Sequence, residues 1–278
     1  MAEFLTHKAV QRSGFGIFAK EVAPGLPDRT VDYAHRDDYY VFGLVTGGTC
    51  RVRIDFGERE LSAGDVVCIR PGQVHRVVAP GDARAFLLFL DGAFLDASTK
   101  RTIAEYALSP QPFAADDVRY AELSRLFPMI LHRAAEGAGS KTVLRHLSCA
   151  AAGIVTDAVR EFVGRRCANR RHVEIVLALR ELLADETQAE RTVARCAEHL
   201  HLSPVYLNEA VRSVTGMSAG RYIRNEFLSR AKRMLLYTSL TVREIAFRLG
   251  VDDAAYFTRL FTKAVGTAPT AYRRKYLE

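Results

Sequence analysis

Apolar residues follow two different periods along the chain. Up to about Leu90 they form short runs or alternate with polar residues: Tyr39 to Val45, then Arg51 to Phe56, where Val52, Ile54 and Phe56 alternate against Arg51, Arg53 and Asp55, then Val66 to Ile69 and Ala85 to Leu90. Turn formers separate these runs at Gly47-Gly48, Phe56-Gly57-Glu58, Ala63-Gly64-Asp65, Arg70-Pro71-Gly72 and Pro80-Gly81-Asp82. Short strands and turns in that rhythm predict an antiparallel barrel or sandwich.

From about Ser98 the period becomes helical. Val143, Leu147, Ala151, Ile154, Ala158 and Phe162 fall on one helix face, with Leu144, Val155 and Val159 as a second apolar edge. This face is expected to cover the β-domain, with a dimer seam as the alternative. The stretch Gly164 to Arg171 (GRRCANRR) is polar, basic and without a large apolar residue, and reads as a linker.

Beyond it the chain repeats itself. TVARCAEHL from Thr192 and TVREIAFRLG from Thr241 are each followed by a short turn and a second helix opening at a capping residue, Ser203 or Asp253. The offset of about 50 residues pairs Tyr206 with Tyr256, Leu207 with Phe257, Ala210 with Leu260, Val211 with Phe261, Gly216 with Gly266 and Tyr222 with Tyr272. Helix, tight turn and second helix is the arrangement in which the second helix enters the major groove. Gly216 and Gly266 stand where each second helix should stop. Between the units, Ser218 to Tyr237 reads as one helix with Ile223, Phe227, Ala231, Met234 and Leu235 on one face. Its length of roughly 30 Å is close to the spacing of successive major-groove faces on one side of B-DNA.

Charge agrees with this. Lys and Arg number 39 against 32 Asp and Glu, a net +7, and the stretch 171–278 carries +5 of that excess. Cys50, Cys68, Cys149, Cys167 and Cys196 have neither a disulfide-framework count nor C-x-x-C spacing. They fit a reducing compartment, with redox sensing as a minor alternative. The N-terminus lacks a signal-peptide core and no run is long enough to span a membrane, so a cytoplasmic protein with no membrane partner is expected.

Residues Leu202 to Ser218 (LSPVYLNEAVRSVTGMS) and Arg230 to Arg273 resemble the AraC/XylS family of bacterial regulators, over about the last hundred residues. Val251 after Gly250, and Ala268 and Thr270 around Pro269, depart from the family's usual residues. Gly64 to Val77 (GDVVCIRPGQVHRV), with His35, resembles the cupin-like sensory domain found in many such regulators. The fold expected is α+β. A cupin-like antiparallel β-barrel over 1–95 would carry a helical appendage over 96–163 with a potential dimer contact. A linker over 164–171 would lead to an all-α domain over 172–278, with two helix-turn-helix units joined by a linker helix.

Helix geometry and the resemblance together nominate Val205, Asn208, Glu209 and Arg212 in the first reading helix, and Ala255, Thr258 and Arg259 in the second, as base-reading positions. Arg259 would pair with guanine, Asn208 with adenine and Glu209 with cytosine. Ser203, Arg221, Lys232, Arg233, Arg273 and Arg274 are candidates for phosphate. In the β-domain His35, Tyr39, Arg53 and His75 are candidates to line a small-molecule pocket. Two imidazoles alone make a poor metal site, so no metal, no cofactor and no catalysis are expected. The partners called for are double-stranded DNA, a small-molecule effector, RNA polymerase and a second copy of the chain. Two alternatives stay open: a cupin enzyme fused to a DNA-binding module, which a third metal ligand near His35 would favour, and a regulator with no effector.

Overall fold

The alternation in the first ninety residues builds two antiparallel sheets. The computed structural model describes residues 6–7, 15–26, 35–55, 57–108, 111–136, 141–166, 169–184 and 192–277. Its strands are β1 (Thr6–His7), β2 (Ile17–Val22), β3 (Arg36–Asp37), β4 (Tyr40–Gly47), β5 (Thr49–Ile54), β6 (Gly57–Ser62), β7 (Val66–Ile69), β8 (His75–Ala79) and β9 (Arg84–Leu90). One sheet has the order β2-β9-β4-β7 and the other β6-β5-β8, while β1 pairs in parallel with β3. The closed barrel expected from the sequence is therefore not formed among the described residues. The chain turns from one sheet into the other at a β4 bulge between Val45 and Gly47. Gly48 follows at φ 66°, where a Cβ would come within 2.4 Å of the Asp82 carbonyl oxygen, so only glycine fits this corner. Strand β6 escapes sequence reading because GERELS buries a single apolar side chain, Leu61. Phe56, read as the end of the preceding strand, lies outside the described residues.

The larger sheet is apolar on both faces, and that explains its unbroken apolar runs. Ile17, Phe42, Leu44, Val66, Cys68, Leu88 and Leu90 share a core with the helices that follow. The alternate residues Val41, Val45, Val67, Ile69, Leu87 and Phe89 line a cavity together with side chains of the smaller sheet. The covering helices are α1 (Ala97–Tyr106), α2 (Asp117–Ala135) and α3 (Lys141–Arg166). Asp96 and Asp116 cap the first two by accepting from the amides of Thr99 and Arg119 at 2.8 and 2.9 Å. On α3 Leu144, Ala151, Ala152, Val155, Ala158 and Val159 are buried, with Leu147, Ile154 and Phe162 packed beside them, and Val143 is exposed. The two apolar edges read in the sequence, Val143 apart, merge into one buried face, and it shares a core with the larger sheet.

Two compact units divide at 166/167, one spanning Leu5–Arg166 and the other including Cys167–Glu278. The stretch 164–171 is not a loop throughout. Helix α3 runs to Arg166, and α4 (Arg170–Ala184) starts behind Asn169, whose side chain accepts from the Arg171 amide at 3.0 Å. Arginine is a good helix former, and Arg165 pairs with Glu161 one turn back, so a basic stretch without apolar residues still continues a solvated helix. Residues 167–168 lie outside the described set.

The second unit is helical: α4, α5 (Val193–His199), α6 (Pro204–Thr215), α7 (Ala219–Tyr237), α8 (Val242–Arg248), α9 (Ala254–Val265) and α10 (Pro269–Leu277). Helix α4 packs on α6 and α7, burying Val173, Ile175, Val176, Leu179 and Leu183. Arg230 of α7 donates to the Leu183 carbonyl at 2.5 Å and so closes its end. The pairs α5/α6 and α8/α9 are the two repeated units, and α7 packs against members of both.

Candidate functional site

Each repeated unit turns by the same hydrogen bonds. In the first, the Leu202 amide donates to Ala197 O at 2.8 Å and the His201 amide to Glu198 O at 3.0 Å; in the second, Val251 donates to Ala246 O and Gly250 to Phe247 O, both at 2.9 Å. This is a Schellman stop, which needs a left-handed residue at its centre. Gly250 supplies it at φ 75°, and His201 adopts it at φ 54° despite its side chain. The second turn holds one more residue before its helix cap, which shifts the repeat offset by one.

Ser203 and Asp253 cap the second helices, accepting from the Tyr206 amide at 3.2 Å and the Ala255 amide at 2.8 Å. Gly216 and Gly266 end them at φ 72° and 83°. Leu207, Ala210 and Val211, and Phe257 and Phe261, face the core. The opposite faces are open: Val205, Glu209 and Arg212 on α6, and Ala255, Tyr256, Arg259 and Lys263 on α9. Val205 is 78% exposed. The Arg259 side chain is 72% exposed, its guanidinium 3.8 Å from the Asp253 carboxylate, a loose pair that leaves it accessible.

Asn208 and Thr258, equivalent in the repeat, are half-buried and hydrogen-bonded to the backbone. The Asn208 Oδ1 accepts from the Ala219 amide at 3.0 Å, capping the start of α7, and the Thr258 hydroxyl donates to the Ala254 carbonyl at 2.8 Å. A bidentate contact to adenine needs the Asn208 oxygen as well as its nitrogen, and that oxygen already accepts one hydrogen bond from the backbone. Tyr256, 51% exposed in the first turn of α9, is a surface residue that the repeat hides by pairing it with Tyr206, which packs beside His172.

In the first unit the cavity between the sheets has a volume of about 120 Å³ and mostly aliphatic walls. His35, Tyr39 and His75 line it, together with Lys20, Cys50 and Arg76. Arg53 is not among its lining residues. Val52 and Ile54 point in, so the strand's alternation turns Arg53 out, where its guanidinium donates to Glu58 at 2.8 Å. At one end of the cavity His35 and His75 pair through their backbones, bringing the two rings to 4.3 Å between centroids. Asp37, 3% exposed, lies against both: its Oδ2 is 3.3 Å from His75 Nε2 and its Oδ1 3.9 Å from His35 Nε2. Burial pushes the Asp37 carboxyl up, but the hydrogen bond and charge of His75, then His35 and the Tyr39 hydroxyl, outweigh it and hold it below the usual carboxylate value.

Two family descriptions match this chain: "AraC-like ligand binding domain" over residues 23–147 and "Helix-turn-helix domain" over 196–275. The chain belongs to the AraC family of DNA-binding transcription regulators. It is 25% identical to the arabinose operon regulatory protein of Escherichia coli K12, covering 84% of this chain and 80% of that protein. It is 37% identical to the transcriptional activator RhaR of Pectobacterium carotovorum over 31% of this chain, a match spanning only 30% of that protein's length. The solved structure of ToxT from Vibrio cholerae aligns with 93% of this chain and 98% of its own at 12% identity and a TM-score of 0.45.

The phosphate candidates of this AraC-family chain separate once their partners are seen. Ser203, Arg221 and Arg274 are exposed. Lys232 lies half-buried over the Tyr272 ring, 5.9 Å from its centroid, and burial lowers its pKa. Arg233 turns back to the Ser229 carbonyl at 3.3 Å. Arg273 is committed to structure: its Nε donates to Leu235 O at 2.7 Å and its Nη2 to Leu240 O at 2.6 Å and Thr238 O at 3.4 Å. Those carbonyls end α7 and precede α8, where a helix terminus leaves acceptors to satisfy.

Among the cysteines, Cys68 sits in the sheet core with its thiol pushed up to about 12 by burial. At pH 8 only about one part in ten thousand of such a thiol is thiolate. Cys68 should therefore stay unmodified by a thiol-disulfide reagent in the native protein and react upon unfolding. Mass mapping after brief labelling checks this, and rapid native labelling would contradict it.

Proposed function

We propose that this regulator reads its operator with the exposed faces of α6 and α9, and that a small molecule held between its two sheets sets its affinity for DNA. The observation that carries the reading is the pair of identically turned helix units whose second helices each bury one face and leave the other open. Arg259 is the strongest base-reading candidate, supported by Glu209, Arg212, Val205 and Ala255. Ser203, Arg221 and Arg274 are the candidates for phosphate. Tyr256 and Lys263 extend the same open face of α9.

Replacing Arg259 with alanine is expected to erase preference at one base pair, at a cost of about 1–3 kcal/mol, or roughly 5- to 150-fold. Selection of binding sites from random DNA by wild type and variant reads this directly. An unchanged preferred sequence would remove Arg259 from the reading face.

The effector this cavity suits is an apolar molecule with one polar end, because aliphatic walls surround a few polar groups, among them His35, His75, Lys20 and Arg76. Binding would shift the balance between states that differ in DNA affinity. Regulation and not catalysis is the reading, supported by relatives named as regulators. A DNA-bound role implies a cytoplasmic site of action, and among the described residues no helix is long and apolar enough to cross a membrane. A homodimer and contact with RNA polymerase complete the proposal. Sedimentation of the full chain with operator DNA tests the former.

A further inference from the structure

His35, Asp37 and His75 come together from two separate segments, and their ligating atoms all lie within 4.8 Å of one another. We infer that this cluster binds a divalent first-row transition metal ion through His35 Nε2, His75 Nε2 and the Asp37 carboxylate.

Three features carry the inference. The first is spacing: two donors each about 2.1 Å from a tetrahedral metal are about 3.4 Å apart, and His75 Nε2 is already 3.3 Å from Asp37 Oδ2. His35 Nε2, at 3.9 Å from Asp37 Oδ1, has to close by about 0.5 Å to match. The two rings address different oxygens of one carboxylate, so a cation between them meets an imidazole on either side and the carboxylate in front.

The second is the orientation of His75. Its Nδ1 is 3.1 Å from the Gln73 carbonyl oxygen, an acceptor, so Nδ1 carries the proton. The neutral ring then turns the lone pair of Nε2 toward a carboxylate, an acceptor facing an acceptor. A metal cation on Nε2 resolves that opposition. An N–H donated from the far nitrogen to a carbonyl is also the usual support of a metal-bound histidine.

The third is the setting. Asp37 is 3% and His35 7% exposed, and His35 and His75 line the cavity while Asp37 closes the cluster from behind. Three protein donors leave coordination positions open, as sites that also meet a small molecule do. Two imidazoles with one carboxylate suit zinc, iron, cobalt or nickel and not calcium or magnesium, which favour all-oxygen sets. The inference concerns the ion alone and stands whether or not an organic effector fills the cavity.

The test uses the full chain, stripped with a chelator and titrated with Co(II). The expected result is one equivalent bound, with visible d–d absorption that Zn(II) displaces. His75→Ala and Asp37→Asn should each weaken binding at least about tenfold while circular dichroism remains that of the folded protein. If either variant fails to fold, the wild-type measurement decides: one equivalent of Zn(II) retained through gel filtration supports the site. No retained metal in the wild type overturns the inference, and so does undiminished Co(II) binding in folded His75→Ala, which would place the metal elsewhere.

Discussion

Replacing Phe261 with alanine is expected to destabilise the C-terminal unit by about 3–5 kcal/mol, the usual cost of truncating a fully buried phenylalanine. Phe261 has no exposed surface and stands where α9 meets the rest of the unit. Its ring lies 5.9 Å from Phe257 and 5.5 Å from Tyr272 of α10, edge-on to the latter, while Phe257 continues the cluster to Phe227 of α7. One truncation thus loosens the second reading helix from both of its supports. For a unit of this size the melting temperature should fall by more than about 10 °C. Because the chain holds no tryptophan, the transition is best followed by circular dichroism at a helix wavelength. Two units need not melt together, so the change belongs to the transition that abolishes DNA binding. A melting temperature within a few degrees of wild type would show that α9 does not depend on this ring.

Replacing Arg273 with alanine should also destabilise the unit, by about 2–3 kcal/mol, through loss of its charge-assisted hydrogen bonds to the Leu235, Thr238 and Leu240 carbonyls. Lysine should restore little, since a single ammonium cannot reproduce a planar fork spread over Leu235, Thr238 and Leu240. The measurement that separates this role from phosphate contact is salt dependence. Loss of a phosphate contact lowers the slope of log affinity against log salt by about one, whereas a capping role leaves the slope unchanged wherever the variant is folded. A reduced slope with unchanged melting would return Arg273 to the DNA.

These expectations differ in how far the sequence alone supports them. Phe261 was identifiable because the repeat aligns it with Val211 and both fall on the inward face of a helix. Arg273 was not: its acceptors lie 33 to 38 residues earlier in the chain, and a basic residue near a helix end looks the same whether it serves a carbonyl or a phosphate. The partner of Asn208 was hidden for a similar reason, being a backbone amide 11 residues on, at the start of the next helix. Arg53 was misplaced although the alternation of its strand already distinguished its face from that of Val52 and Ile54. Asp37 had a local signal in its i, i+2 spacing from His35, which on an extended chain places both on one side. What the sequence lacked was the strand pairing that brings His75 to meet them, and with it the third donor whose absence had argued against a metal.

Local chemistry determined the helical half of this protein and its family. Caps, left-handed glycines and an apolar repeat act over a few residues and need no distant partner to be read. Which polar side chains remain free for a ligand was decided by tertiary structure alone. A hydrogen-bonding group is satisfied by whatever the fold brings within about 3 Å, and that partner can come from anywhere in the chain.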